Sequence, residues 1–426
     1  MSKSFWLGLL AAAWAVPASA QVIAIQNARV HTMGPAGVME GGDILVRNGV
    51  IAAVGVDIPV PEGATVIDAA GRVVTPGFFA PHSQIGISEI SADDESNDSS
   101  AQGEFPLSAA LDAVDAYNPN ATAIAISRAG GVTRALSAPN PGAGLFGGRA
   151  AVVDLSGRIG SVTKPQAAMT AVMGYGGAAR AGDTRMGAWA LLREQLDEAI
   201  SYAANPRDYV LRQRDPRFSI SDLKALGPVV SGEMPLIVRV DGASDIRNLL
   251  RLKNEYRLNV VILGGAEAWR VAREIAAANV PVIVNATANL PGSFEQMGAT
   301  LENAARLHAA GVRIAFEGGS NQFLRVISQP AGIAVANGLP YDAALAALTI
   351  NPAMIFGLAD RLGSLEPGKA ADVVVWDGDP LEVTTRPLNV LIDGRAMSLE
   401  NRQTRLRDRY RDLSRGELPQ PYRGEN

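Results

Sequence analysis

The 426-residue sequence predicts an α/β architecture: a (β/α)8, TIM-like barrel plus a small β-sandwich domain formed by the N- and C-terminal segments. Three observations carry that prediction. Eight apolar, β-branched runs are spaced through the middle of the chain, several separated by stretches of helical periodicity. Short strand-like runs punctuated by turn residues occupy both ends. Hydrophobic residues make up 47% of the chain and charged ones only 19%, enough for a substantial core, and the length exceeds what one core usually serves.

Residues 1–20 read as an export signal: Lys3 supplies the positive start, Phe5 to Val16 an apolar run short for a bilayer, and Ala18-Ser19-Ala20 a small-residue cleavage site. Cleavage after Ala20 would leave a periplasmic or secreted product starting at Gln21. No later run approaches the apolar length of a membrane span. From Val22 to about Val74, VIAIQNARV, DILVRNGVIAAVG and ATVIDAAGRVV read as strands, and Asn48-Gly49 marks a hairpin because both residues tolerate positive φ. The texture returns in ADVVVWDGDP and NVLIDGRAM. A composite β domain is therefore expected over 21–75 and 362–400, with the barrel at 76–361 and a C-terminal surface helix and tail at 401–426.

Candidate barrel strands are 73–79, 131–138, 150–155, 169–174, 236–240, 259–263, 280–286 and 312–316. Runs such as VVIL and VPVIV are near-continuously apolar, as parallel strands covered on both faces must be. Helical periodicity spans 186–202, 245–256 and 269–278. The acidic, Ser-rich ADDESNDSSAQG at 92–103 is expected as a solvated loop near the barrel mouth. The glycine-rich APNPGAGLFGGRA lacks the order of a nucleotide loop and reads as mouth turns.

Composition excludes several functions. The absence of cysteine removes disulfides, thiolate metal sites and a cysteine nucleophile. A net charge of −5 provides no basic field, which argues against nucleic acid as a partner. Three histidines are few for imidazole-bound metal chemistry.

VIDAAGRVVTPGFFAPHSQIG at 66–86 resembles the first-strand signature of the amidohydrolase superfamily, and LGSLEPGKAADVVVWDGDPLEV at 362–383 resembles its return to the small sheet domain. Looser matches follow in order: MPLIVRVDGASDI, LNVVILGGAEAW and AGVRIAFEGGSNQ for strands 5, 6 and 8. The likeness is greatest to the exported imidazolonepropionase-like and prolidase-like branch. It implies one or two divalent metal ions at the C-terminal mouth of the barrel, activating water against an amide or other carbon–nitrogen bond, with an Asp after strand 8 as base.

Most positions of that pattern differ here. Ala80 stands for the Asp of the metal motif, His82 matches its first imidazole and Gln84 replaces the second. Arg239 and Gly264 stand where strands 5 and 6 bring His, and Thr170 is the strand-4 position with no lysine. Gly319 stands for the catalytic Asp, two residues after Glu317. A guanidinium offers no lone pair to a metal. The resemblance thus implies a degenerate metal site. His82, Arg239 and Glu317 are the residues expected to carry whatever chemistry remains, with Gln84, Asp241, Glu267 and Ser320 contacting ligand. Asp241, Glu267 and Glu317 are candidate partners for Arg239, and an Arg239–Glu317 pair is expected to organise the mouth in place of a metal. His82 with Gln84 and Glu317 could form only a weak, oxygen-rich divalent site. His31 and His308 are expected outside the mouth.

Two functions follow. One is a non-catalytic or metal-independent homologue that binds a small amide or carboxylate ligand, or partners an active paralogue, as a homo- or hetero-oligomer. The other is an active hydrolase of carbon–nitrogen bonds with a weak single-metal or metal-free site.

Overall fold

The computed structural model describes residues 22–101, 103, 105–212, 217–318 and 321–411. The expected export signal, Ser320, Gly319 and the tail beyond Arg411 lie outside the described residues. Five strands open the chain: β1 (Val22–His31), β2 (Val38–Arg47), β3 (Val50–Val56), β4 (Thr65–Asp68) and β5 (Val73–Pro76). Eight follow: β6 (Phe78–Ser83), β7 (Val132–Ser137), β8 (Phe146–Asp154), β9 (Val162–Val172), β10 (Leu236–Val240), β11 (Val260–Gly264), β12 (Val282–Val284) and β13 (Ile314–Phe316). Three close it: β14 (Val373–Trp376), β15 (Pro387–Ile392) and β16 (Arg395–Ala396).

The first and last groups form one sheet, ordered β16-β15-β14-β5-β1-β2-β3 with β4 beside β1; β6 to β13 form the nearly closed barrel. Both chain ends therefore build the separate sheet. Between β2 and β3, Asn48 and Gly49 take φ of 52° and 86°, the pair of positive values a type I′ turn requires.

The first expected barrel strand divides in two. Val73–Pro76 pairs with β14 and β1, whereas Phe78–Ser83 enters the barrel. Gly77 makes the crossing, and a Cβ there would lie 2.1 Å from the Thr133 side chain. The third expected strand is present but antiparallel to both β7 and β9. Only 138–145 and 155–161 join these three strands, too short to carry the crossover that parallel neighbours need. The remaining neighbours in the barrel are parallel. Of the expected helices, Arg185–Ala204 and Ala243–Tyr256 are continuous; the third is a 3-10 turn at Ala268–Val271 followed by Ala272–Ala277.

Alternation along the strands separates two apolar layers. Phe79, Leu136, Val152, Ala168, Ile237, Val261, Ile283 and Ala315 pack together inside the barrel. Their neighbours Phe78, Val238, Ile262, Val282 and Ile314 pack outward against the helices. Barrel and separate sheet are joined by Phe78 against Trp376, ring centroids 5.0 Å apart, and by a buried ionic knot. There Arg134 donates from Nε to Asp372 Oδ2 at 2.6 Å, from Nη2 to Asp372 Oδ1 at 3.1 Å and Asp393 Oδ1 at 2.5 Å, and from Nη1 to Thr163 at 2.8 Å. Burial opposes the Arg134 charge, but the surrounding carboxylates outweigh it and hold the pKa above the ordinary value.

Candidate functional site

The C-terminal ends of β6, β7 and β9 to β13 meet at one mouth, where barrel enzymes place their chemistry. Period-two alternation decides which side chains face it. Ile237 faces the interior, so Arg239 two residues on does too; Ala315 does likewise for Glu317. The two meet, Arg239 Nη2 donating to Glu317 Oε1. Glu317 is largely buried, its side chain 11% exposed, while Arg239 keeps 41% of its side chain accessible. Burial opposes the Arg239 charge, and Glu317 and then Asp241 overcome it, raising the pKa above the ordinary arginine value.

His82 lies within a register shift of β6 between Ala80 and Ser83 and is 4% exposed. Burial pushes its pKa down to about 4; the Glu317 charge opposes that shift and Arg239 adds to it. The imidazole is therefore neutral at pH 7. Its chain neighbours are fixed by Ser83 Oγ donating to the Leu136 carbonyl at 2.9 Å and Ser137 Oγ donating to the Ile85 carbonyl at 2.7 Å.

Asp241 sits over the position where strand 6 lacks a side chain. A Cβ on Gly264, whose φ is +91°, would stand 2.7 Å from Asp241 Oδ1 and 3.7 Å from Arg239 Nη1. The Asp241 carboxylate accepts from the Ala266 amide and from Gln296 Nε2, each at 3.0 Å. The carboxylate thus fills the space that a side chain at residue 264 would need.

The other expected residues are placed differently. Glu267 is 8% exposed. Its oxygens accept from the backbone amides of Ala243 at 3.2 Å and Gly298 at 2.8 Å, so it clamps loops together. Gln84 donates to Asn140 Oδ1 at 3.4 Å. Thr170, also buried, donates to the Pro139 carbonyl at 2.7 Å. His31 lies in β1 beside Tyr341, and His308 is exposed in the helix Asn303–Ala309, both away from the mouth.

Several contributors carried no signal in the sequence. Glu295 Oε1 accepts from the Tyr175 amide at 2.6 Å; burial and the nearby Asp245 and Asp241 charges raise its pKa against that hydrogen bond and Arg185. Arg180 ties the 138–145 connection down by donating to the carbonyls of Gly142, Pro141 and Gly176 at 2.7–2.9 Å. Apart from the bond to Gly176, these contacts join segments 38 to 120 residues apart, which no local spacing announces.

A family model described as the amidohydrolase family matches residues 254–398. The crystal structure of an amidohydrolase from Thermotoga maritima superposes with a TM-score of 0.79 at 29% identity, covering 88% of this chain and 99% of that one. These matches support placing the chain in the amidohydrolase superfamily. Two curated relatives extend the likeness. An amidohydrolase of Hapsidospora irregularis, tasK, is 27% identical over 394 residues, 83% of this chain, which spans only 40% of that relative's length. The imidazolonepropionase of Acidiphilium cryptum is 26% identical over 409 residues, 84% of this chain and 93% of its own.

The divalent ion that superfamily hydrolases use requires a set of imidazole or carboxylate donors converging on one point. Among the described residues of this amidohydrolase-family chain, no three His, Asp or Glu side chains form such a group. Arg239 contributes a cation where a donor is needed, and Gly264 contributes no side chain. The described residues do not fit a tightly held ion.

Proposed function

We propose that this protein is a metal-independent member of the superfamily that binds a small ligand bearing a carboxylate or amide at the barrel mouth. The pairing of Arg239 with Glu317 carries the reading. One oxygen of Glu317 takes one guanidinium N–H, and the part of Arg239 left exposed offers further donors in the planar fork that suits a carboxylate. The neutral His82 beside the pair supplies an uncharged hydrogen-bonding group, and Gln84 and Asp241 supply polar rims. Export to the periplasm or beyond is part of the same proposal and rests on the sequence of residues 1–20.

Titration of the purified protein with a panel of small carboxylates and amides tests the reading. Saturable binding that Arg239→Ala weakens at least about tenfold supports it, the scale expected on losing one charge-assisted hydrogen bond. Absence of binding across the panel overturns it. The full-length likeness to an imidazolonepropionase favours a second reading, residual hydrolysis of carbon–nitrogen bonds. Chelator-insensitive hydrolysis of dipeptides or cyclic amides, abolished by His82→Ala or Glu317→Gln, would establish that one instead. Association with itself or with an active paralogue remains a proposal that native mass measurement would test.

A further inference from the structure

A half-open pocket of mixed polarity lies away from the mouth. It has a volume of about 480 Å³ and sits where the helix Thr122–Arg128, the turn Asn321–Val326, the start of β15 and the helix Arg402–Arg411 converge. That volume is within the range of small-molecule pockets. Its position is at the N-terminal end of the barrel strands, because Gly130 on its wall stands two residues before the start of β7; a Cβ on Gly130 would meet the Arg325 carbonyl at 2.3 Å.

The lining is asymmetric in charge. Arg325, Arg386 and Arg407 face one carboxylate, Glu382, an excess of two positive charges in a chain whose net charge is −5. Arg325 spends an N–H on a neutral partner, Gln403 Oε1 at 2.9 Å. Among the described residues no carboxylate pairs with Arg325 or with Arg386, whereas Arg407 pairs with Asp408 at 2.7 Å. The floor is apolar, formed by Ile126 and the buried Trp376. Arg325 and Arg386, guanidinium groups left without counter-charges around a half-open pocket, are suited to a bound oxyanion, and an apolar floor to its carbon skeleton.

We infer that this cavity binds a small dianion, a phosphate ester or a dicarboxylate, independently of the barrel mouth. The helix Arg402–Arg411, which buries none of its own residues, forms one wall and would be held down by the ligand through Arg407.

Calorimetric titration of the full chain with inorganic phosphate and, separately, with succinate tests the inference, ionic strength being held constant with chloride. Saturable binding of either probe is expected, and the probe that binds decides between a phosphate and a carboxylate group. Arg386→Ala and Arg407→Ala should each weaken it about tenfold or more, Arg386→Lys less, and Arg239→Ala at the mouth not at all. Circular dichroism of each variant checks that it folds. The inference is overturned if neither probe binds, if binding survives both alanine substitutions, or if Arg239→Ala abolishes it.

Discussion

The guanidinium of Arg239, at the end of β10, donates a hydrogen bond to the carboxylate of Glu317, which follows β13. Both face the mouth because strand alternation puts them in phase with Ile237 and Ala315 in the barrel interior. A fixed cation and a buried carboxylate thus meet at the C-terminal mouth of the barrel.

Removing one partner is expected to cost more than removing both. Arg239→Ala leaves Glu317 buried and unpaired, a loss of about 2–4 kcal/mol. The double substitution Arg239→Met with Glu317→Leu should recover much of that. A double-mutant cycle in urea measures the coupling; strictly additive effects would show that the contact contributes nothing.

Stability should fall with acid through His82. In the unfolded chain its imidazole takes a proton below about pH 6.5, while the folded protein resists protonation until about pH 4. The contribution is fully present above pH 6.5 and is lost as pH falls toward 4, about 3 kcal/mol in all. Unfolding of wild type and His82→Asn across that range checks it, the variant losing this part of the slope.

Gly264→His, which introduces the imidazole that the sequence resemblance implies there, should destabilise the fold without creating a metal site. The new Cβ would crowd Asp241, and φ of +91° strains any L side chain. A loss of at least about 2 kcal/mol and no gain in zinc affinity are expected. A variant as stable as wild type would refute this.

The knot at Arg134 predicts a different response. Arg134→Ala leaves Asp372 and Asp393 facing each other at the junction between barrel and sheet, costing about 3–5 kcal/mol. Thermal unfolding measures that loss, and ligand binding at the mouth, if the variant is folded, should be unchanged.

Much of this arrangement was legible in the sequence, and the limits have physical causes. Eight apolar runs and the Asn48-Gly49 turn announced the barrel and the sheet because burial and positive φ restrict residue choice locally. The Arg239–Glu317 contact was legible because strand-end position and parity fix direction. The antiparallel course of β8 was hidden, since an apolar run reads alike in both directions and only the short connections betray it. Glu267 looked like a partner for Arg239, yet its oxygens are held by the amides of Ala243 and Gly298, contacts spanning 24 and 31 residues. The hydrogen bond from Gln296 to Asp241, 55 residues apart, had no local signature either.

The proposed metal-independent function rests on an arginine–carboxylate pair organising the barrel mouth without a metal centre. Elemental analysis of the protein, expressed with zinc, manganese and nickel present and then dialysed, tests it most directly. The account predicts metal far below one equivalent and the same thermal stability with and without a chelator. A full equivalent of any of these metals that survives dialysis, and whose removal lowers stability, would contradict it.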